Sequence, residues 1–405
     1  MTAATTLASE PLTLARWAQE IRPSALQTML VRSSQPGILS LALGFPAPDL
    51  FPASGLSEAA ARVLAGDPLA LQYSPPFLPL KRQVVELMAT RGVECREEQV
   101  FLTAGGQQGM SLLTRLLLNP GGTVLTERLC YTGFQQAIEP FRPEVLTVPT
   151  DLDTGIDVDA VEALLAAGER PAMIYVVTDG NNPLGVSVSA EKRRRLVELA
   201  REHRVPVLED DAYGYFQYVD DPVPPMRALD DRWVLYMGTF AKIFAPSLRV
   251  GWLVVPEELV GPLGIIKEAT DINTSTFTQR VISSYIDQGL LPAHLERLRS
   301  EYGARRDAMD AALREHLGST GARWRTPTAG VFTWVEMPDG TDTVPLLGTA
   351  LDTEGVAFFP GSAFAVGGDG YASNCLRLNF SHCGPERIRE GVARLGRVIR
   401  DASGS

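Results

Sequence analysis

Cysteine and histidine are scarce in this chain, which has four of each among its 405 residues. The cysteines are spread out, make no C-x-x-C pair and show no zinc-site spacing: they are Cys95, Cys130, Cys375 and Cys383. Isolated cysteines of this kind are typical of free thiols in a reducing compartment, and dispersed histidines give little support to a metal site. We therefore expect a cytoplasmic protein without a metal centre.

Clustered basic charge and long apolar runs are also lacking. Lys and Arg together number 37 against 48 Asp and Glu, so the formal net charge is −11. An acidic balance argues against nucleic-acid and anionic-membrane partners, because both favour clustered Lys and Arg. The one basic run, residues 192–195, lies on an amphipathic helical pattern and is typical of a solvated helix face. No apolar run is long enough to span a membrane, and residues 1–6 do not resemble a secretory signal.

Short apolar runs that alternate with helical patterns are what the chain does contain, from about residue 46 to residue 290. The runs cover residues 100–103, 173–177, 205–208 and 233–237. Continuous apolar strands between helices favour a buried, mostly parallel sheet. After residue 290 a long charged helical pattern leads to strands of alternating pattern and one closing helix, as in a small α+β domain.

The length of the chain predicts one large and one smaller domain rather than a single compact core. We expect an N-terminal arm with a helix that packs on the small domain in residues 1–45, a large α/β domain in residues 46–290, and a small α+β domain in residues 291–405. The predicted fold class is therefore α/β with a smaller C-terminal α+β domain.

Polar and small residues follow each of the four apolar runs, where an open parallel sheet binds its ligands. Gly105-Gly106-Gln107 opens a helix whose backbone N–H groups can meet a phosphate, although such a glycine pair is more often a tight turn. The later runs are followed by residues 181–185 (Asn-Asn-Pro-Leu-Gly), 209–213 (Glu-Asp-Asp-Ala-Tyr) and 238–242 (Gly-Thr-Phe-Ala-Lys). Taken singly, these are an ordinary turn, a metal site or solvated loop, and a surface lysine.

The order of these motifs is more specific than any one of them. Asn-Pro-x-Gly, Asp-x-x-Tyr, Thr-x-x-Lys, an Arg seven residues on and an Arg in a late strand resemble the class I/II aminotransferases of the pyridoxal 5′-phosphate (PLP) fold type I. The resemblance covers about residues 20–400 and is nearest the branch of α-aminoadipate and kynurenine aminotransferases and MocR-type effector domains. It implies the PLP-dependent transferase fold, with a mostly parallel central sheet in a large PLP-binding domain.

Lys242 is the catalytic lysine that the resemblance implies. It would hold PLP as an imine and then, once displaced by substrate, move the substrate α-proton as general base. Asp210 would pair with the pyridinium nitrogen of the cofactor, which leaves Glu209 and Asp211 with local structural roles.

The remaining cofactor contacts are implied in the same way. Tyr213 and Asn182 would donate to the phenolic oxygen of the ring, and Tyr131 would stack on its face unless it is only a core aromatic. The phosphate would be held by four residues: Gly106, Gln107, Thr239 and Arg249. Tyr73 would reach the phosphate of a partner subunit, which makes the expected active unit a homodimer with two composite sites.

Arg377 would bind the substrate α-carboxylate through two parallel hydrogen bonds, with Asn182 beside it. Gly44 and Gln27 would line the pocket for the substrate side chain. Gln27 stands where many members of this branch have an arginine, which weakens the case for α-aminoadipate and 2-oxoglutarate as substrates. A further departure is Ala241, which removes a hydroxyl group beside the expected position of the cofactor phosphate.

Amino-group transfer from an α-amino acid to a 2-oxo acid is the implied reaction, through aldimine, quinonoid and pyridoxamine phosphate intermediates. The same fold also supports β- or γ-elimination, replacement and cyclisation, so an enzyme of specialised biosynthesis is the alternative. The ligand-sensing module of a regulator would need a DNA-binding domain before residue 20, where we expect too few residues. A PLP-binding protein without catalysis is disfavoured, because all four key residues are present: Lys242, Asp210, Arg249 and Arg377.

Overall fold

The computed structural model describes residues 12–19, 31–32, 35–368 and 370–403. Most of the helix predicted near the N-terminus lies outside these residues, and so does the candidate substrate residue Gln27. Within the described part, no helix is both long enough and apolar enough to cross a membrane.

A seven-stranded, mostly parallel sheet forms the centre of the fold, which confirms the predicted fold class. The strands in chain order are β1 (Leu39–Ser40), β2 (Val100–Thr103), β3 (Thr123–Glu127), β4 (Glu144–Val148), β5 (Thr150–Asp151), β6 (Gly155–Ile156), β7 (Ile174–Val177), β8 (Val207–Asp210), β9 (Val234–Thr239), β10 (Gly251–Val254), β11 (Arg323–Trp324), β12 (Phe332–Glu336), β13 (Val356–Ala357), β14 (Phe359–Pro360) and β15 (Cys375–Asn379). The large sheet has the order β2-β10-β9-β8-β7-β3-β4, and β10 runs antiparallel to both its neighbours. Every residue of β7, β8 and β9 is buried, as expected of strands that are covered on both faces.

Helices connect these strands and cover the sheet. They are α1 (Ala53–Gly66), α2 (Leu78–Ala89), α3 (Gly106–Leu117), α4 (Thr132–Ile138), α5 (Val158–Ala166), α6 (Ala190–His203), α7 (Phe240–Ile243), α8 (Glu257–Asp271), α9 (Thr276–Asp287), α10 (Leu291–Leu317), α11 (Thr343–Thr349) and α12 (Pro385–Ser403). In α6 the Ser189 hydroxyl accepts a hydrogen bond from the Lys192 backbone N–H, which caps the first turn. Leu196, Val197 and Ala200 form its buried face, and the 3.6-residue period brings them together.

A four-stranded antiparallel sheet lies toward the C-terminus, in the order β11-β12-β15-β14. Helices α10 and α12, which flank this part of the sequence, pack on each other. Strand β1 pairs in parallel with β13, with Leu39 opposite Val356, so the described N-terminal segment joins this smaller unit. The boundaries after residues 45 and 290 stay a prediction, although α10 begins at Leu291.

The prediction of a solvated face for residues 192–195 is wrong for one of them. Arg193 is only 1% exposed, and its guanidinium donates to Asp179 Oδ1 at 2.6 Å and to the Val188 carbonyl at 2.9 Å. These acceptors come from outside the helix, so the helical pattern of the sequence could not reveal them. All four cysteines are free thiols, as predicted.

Candidate active site

A cavity of about 280 Å³ lies beyond the carboxyl ends of β7, β8 and β9, and β15 of the small sheet contributes to its wall. It gathers most of the residues predicted for the site: Gly44, Gly106, Gln107, Tyr131, Asn182, Asp210, Tyr213, Thr239, Lys242, Arg249 and Arg377. A larger cavity of about 440 Å³, lined by Cys130 and Phe134 among others, contains none of them. The smaller cavity is therefore the one in which the predicted chemistry can occur.

Lys242 projects into this cavity from the short helix α7. The Thr239 hydroxyl accepts a hydrogen bond from the Ala241 backbone N–H at 3.1 Å and so caps that helix. The Lys242 amine donates to the Gly44 carbonyl at 2.9 Å. Burial, together with the nearby cations Arg377 and Arg249, lowers the pKa of Lys242 to about 8 against the opposing effect of Asp210. About a tenth of the amine is therefore neutral and nucleophilic at pH 7, whereas an ordinary lysine is almost entirely charged there.

Three acids in a row at the end of β8 have three different surroundings. Asp210 faces the cavity, where its carboxylate accepts a hydrogen bond from the Tyr175 hydroxyl at 2.7 Å, and burial raises its pKa to about 6. Glu209 instead accepts hydrogen bonds from the backbone N–H groups of Met226 and Arg227 at 2.6 and 2.8 Å. Asp211 is buried, and its Oδ2 lies 3.1 Å from Nη1 of Arg91. Asp210 is thus the acid that can serve a ligand.

Arg377 lies in the middle of β15 and is 3% exposed. It donates to Asn182 Oδ1 and to the Ala42 carbonyl, both at 2.5 Å, while its Nε has no hydrogen-bond partner among the described residues. The centres of three phenyl rings lie 4.1–4.9 Å from the guanidinium carbon: Phe332, Phe359 and Phe364. Burial lowers the pKa of Arg377 to about 9, which marks a strongly desolvated cation.

The opposite end of the cavity is built around the start of α3. Gly105 precedes the helix with φ +79°, and a Cβ atom there would lie 2.7 Å from Nη2 of Arg249. Arg249 is exposed and donates to the Ala104 carbonyl at 2.9 Å. The first N–H groups of a helix have no partner within that helix, so the start of α3, next to a guanidinium, suits an anion such as a phosphate.

Two tyrosines form the walls between these ends. A Cβ atom at Gly133 would lie 2.4 Å from the Tyr131 ring, so the ring can pack there because residue 133 has no side chain. The Tyr213 ring meets Phe332 edge to face at 5.8 Å, and its centre is 5.9 Å from the Lys242 amine. Burial raises the pKa of Tyr131 to about 12 and that of Tyr213 further, so both phenols are protonated and can donate hydrogen bonds.

One predicted residue of the described part of the chain is not in the cavity. Tyr73 is 84% exposed and does not line it, and Gln27 lies outside the described residues. Sequence reasoning also missed functional neighbours, namely Tyr175 beside Asp210 and the three phenyl rings around Arg377. The signal for Tyr175 was a single hydroxyl in an otherwise apolar run, but no such signal marked the phenylalanines.

Comparison with known proteins shows the family of the chain. The family described as "Aminotransferase class I and II" matches residues 41–395. The aromatic-amino-acid aminotransferase 1 of Thermococcus litoralis is 35% identical over 390 residues, which cover 94% of this chain and 92% of that protein. The 2-aminoadipate transaminase of Thermus thermophilus is 36% identical, with 95% of each chain covered. The crystal structure of the Pyrococcus horikoshii kynurenine aminotransferase superposes with a TM-score of 0.90 at 34% identity, covering 96% of this chain and 97% of that one.

Proposed function

The chain belongs to the class I and II aminotransferases, and we propose that the cavity around Lys242 is the site at which it transfers amino groups. Its cofactor is PLP, and its reaction moves the amino group of an α-amino acid to a 2-oxo acid. Elimination or replacement, the alternative considered from the sequence, is not favoured by these relatives. The observation that carries the proposal is the convergence of Lys242, Asp210 and Arg377 on one cavity.

The fit of PLP is supported by features of the described residues. Gly105 lacks the Cβ atom that would collide with Arg249, so the guanidinium can lie directly beside the start of α3, where an anion would bind. At the other end, the buried Nε of Arg377 has no partner in the described part of the chain, as expected of a group that binds a carboxylate. Between the two ends stand an amine and a carboxylate, which the cofactor's aldehyde and ring nitrogen require: Lys242 and Asp210.

Individual residues take the following parts in our proposal. Asp210 pairs with the ring nitrogen, Tyr131 covers the ring face, and Tyr213 and Asn182 donate to the phenolic oxygen. The phosphate is held by Gly106, Gln107, Thr239 and Arg249. When bound, the cofactor supplies an electron sink for the electrons that remain when the substrate loses its α-proton.

Lys242 moves that proton. Its amine must be neutral to act as a base, and the lowered pKa of about 8 supports this role. The hydrogen bond to the Gly44 carbonyl holds the amine at the cavity wall. Asn182 and Arg377 hold the substrate carboxylate, so the α-carbon is presented to Lys242 in one orientation.

The substrate side chain is uncharged and preferably aromatic in our proposal. Of the described residues that line the cavity, three are cations, and each already has a part: Lys242, Arg249 and Arg377. Much of the remaining wall is aromatic, with Phe45 and Phe332 among its members. A second carboxylate, as in 2-aminoadipate, therefore lacks a described cation to pair with. The relatives named for aromatic amino acids and kynurenine fit this wall better.

A homodimer is the assembly that we propose, in which Tyr73 reaches the cofactor phosphate of the partner subunit. Large apolar side chains near Tyr73 are exposed, at 59% for Leu69 and 77% for Leu71. Exposed apolar surface of this kind is typical of protein interfaces. The free thiols support a reducing, cytoplasmic location.

The test is a panel of amino donors and 2-oxo acceptors with purified protein and PLP, with Lys242→Ala as the blank. We expect aromatic donors to convert the cofactor to pyridoxamine phosphate, seen as loss of the long-wavelength absorbance band. Lys267→Ala is the control, because Lys267 is a buried lysine that pairs with Asp271 outside the cavity. Equal activity of Lys242→Ala and Lys267→Ala, or release of ammonia without pyridoxamine phosphate, would contradict the proposal.

A further inference from the structure

A buried ion cluster lies behind the wall of the cavity, where β7 and β8 end. It consists of Arg91, Asp179, Arg193 and Asp211, which we call the buried ion cluster. Arg91 follows helix α2 and contacts both acids: its Nη1 is 3.1 Å from Asp211 Oδ2 and its Nη2 is 3.4 Å from Asp179 Oδ2. The side chains of Arg91, Asp179 and Asp211 are 10%, 1% and 0% exposed. One guanidinium therefore bridges two buried carboxylates.

The buried ion cluster contains equal numbers of basic and acidic groups, and hydrogen bonds support it. Arg193 donates to Asp179 Oδ1 at 2.6 Å, so two guanidiniums face two carboxylates. The Tyr236 hydroxyl donates to Asp211 Oδ2 at 2.8 Å. Burial alone would lower the pKa of Arg91, but Asp211, Tyr236 and Asp179 raise it above its usual value, so Arg91 stays charged. Removal of one member would leave an uncompensated charge in the interior.

Both carboxylates sit beside residues of the active site. Asp211 directly follows Asp210, the last residue of β8: Asp210 lines the cavity, while Asp211 does not and instead contacts Arg91. Asp179 lies three residues before Asn182, which accepts the hydrogen bond from Arg377. Arg91 thus contacts two chain segments. One carries Asp210, the proposed partner of the cofactor ring nitrogen, and the other carries Asn182, the amide proposed to lie beside the substrate carboxylate.

Gly214 leaves room for the contact between Arg91 and Asp211. A Cβ atom at Gly214 would lie 2.1 Å from Asp211 Oδ1 and 2.2 Å from Arg91 Nη1. The glycine therefore has no side chain at the point where the ion pair needs the space. It directly follows Tyr213, a third residue of the cavity wall.

We propose that Arg91 is a positioning residue: through Asp179 and Asp211 it fixes the positions of Asn182 and Asp210 relative to each other. The inference deepens the proposed function and rests on it. Arg91 touches neither cofactor nor substrate in this account, since it does not line the cavity. Its loss loosens one strand end relative to the other, and displacements of about 1 Å at a site can cost about 100-fold in rate.

The test compares Arg91→Met and Gly214→Ala with Arg227→Met. Gly214→Ala keeps all four charges and acts through the clash alone. Arg227 serves as the control because it is also a buried arginine, 2% exposed. Its guanidinium donates to the carbonyl of Val234, the first residue of β9, whereas the cavity lies beyond the carboxyl ends of the strands. For each variant three quantities are measured: the thermal midpoint of the cofactor-free protein, the dissociation constant of PLP by fluorescence titration, and kcat and KM for an aromatic amino acid.

We expect Arg91→Met and Gly214→Ala to weaken PLP binding by about tenfold or more and to raise KM, because Asp210 and Asn182 are both displaced. Arg227→Met should lower the thermal midpoint and leave PLP affinity and KM within about twofold. Arg91→Lys should recover part of the PLP affinity, and the charge-neutral pair Arg91→Met with Asp211→Asn should recover more of the thermal midpoint than of KM.

The inference is overturned if Arg91→Met and Gly214→Ala lower the thermal midpoint yet leave PLP affinity and KM as Arg227→Met does. If Arg91→Met does not fold, Gly214→Ala and Arg91→Lys decide the matter by the same measurements. Failure of the proposed function has a different signature, because it would show as an unchanged activity of Lys242→Ala, whatever the PLP affinity of the Arg91 variants.

Discussion

The two arginines at the ends of the cavity are held in opposite ways. Arg249 is exposed, lies in a loop with φ +51° and donates to one carbonyl, that of Ala104. Arg377 is buried in β15, donates to two oxygens and is surrounded by three phenyl rings. Arg249 therefore stays in contact with water, whereas Arg377 is shielded from it.

This difference suits the two anions that the ends bind in our proposal. A phosphate carries about two charges and can be shared among backbone N–H groups, a hydroxyl and one guanidinium, so no single contact dominates. An α-carboxylate carries one charge and must be oriented for the reaction, which favours one desolvated, planar guanidinium on a rigid strand. We therefore expect substitutions at the Arg377 end to act strongly and specifically, and substitutions at the Arg249 end to act more weakly.

Of the substitutions at the two arginines, Arg377→Lys has the largest expected effect. An ammonium group cannot form two parallel hydrogen bonds, and the buried Asn182 amide loses its partner. We expect kcat/KM for an aromatic amino acid to fall roughly 100- to 1,000-fold, with PLP affinity changed by less than about threefold. Steady-state kinetics and PLP titration measure both. Arg305→Lys is the control, since Arg305 is 2% exposed in α10 and outside the cavity. A similar loss of kcat/KM in both variants would contradict a specific role of Arg377 in substrate binding.

Arg249→Gln is expected to act on the cofactor rather than on the substrate. Loss of one charge-assisted contact among several should weaken PLP binding by roughly 10- to 100-fold and leave KM for the amino acid near its original value. Pyridoxal, which has no phosphate, is the internal control and should bind both proteins alike. Gly105→Ala should act in the same direction, because its Cβ atom would lie 2.7 Å from Arg249 Nη2. Equal weakening of PLP and pyridoxal would exclude a phosphate contact.

The sequence predicts the rim of the cavity well, because parallel strands end at the same edge of a sheet. Asn182, Asp210 and Lys242 each follow an apolar run, so their meeting follows from the fold class alone. The apolar runs did not predict that β8 continues through Glu209 and Asp210. Those acids are tolerated inside a strand because their partners come from distant segments, such as the backbone of Arg227.

The surroundings of Arg377 could not be predicted in the same way. Phe359 stands opposite Arg377 through the register of β14 with β15, and Phe332 contacts it from β12. Register and side-chain contact between strands that are far apart in sequence depend on the packing of the whole small sheet. The buried Arg193 is a case of the same kind, since its acceptors lie outside its helix.

The pH dependence of cofactor capture sharpens the comparison between the two arginines. Both lower the pKa of Lys242, with Arg377 the stronger, and the pKa is about 8 in the intact protein. Only the neutral amine attacks an aldehyde, so capture of pyridoxal by the cofactor-free protein should rise about tenfold per pH unit below that value and level off above it. Removal of a cation raises the pKa, so the midpoint should move upward in both Arg377→Met and Arg249→Met, and further in Arg377→Met. Stopped-flow absorbance measures the rates, and the opposite order of midpoints would contradict the assigned electrostatics.

Phe364→Leu is expected to have the smallest effect, and it separates the ring contacts of Arg377 from its hydrogen bonds. The Phe364 ring centre is 4.9 Å from the guanidinium carbon, and such a contact contributes about 0.5–1 kcal/mol at exposed sites and about 2 kcal/mol when the cation is desolvated. We expect less than the full value to be lost, because Phe332 and Phe359 still contact the guanidinium and leucine keeps the site apolar. Loss of the Phe364 ring should raise KM for the amino acid about two- to fivefold with kcat and PLP affinity unchanged, because the two hydrogen bonds of Arg377 remain. Phe244→Leu is the matched control, as Phe244 is buried against Tyr285 and does not line the cavity. Equal KM values for the two variants would mean that the rings only exclude water, so that desolvation alone distinguishes Arg377 from Arg249.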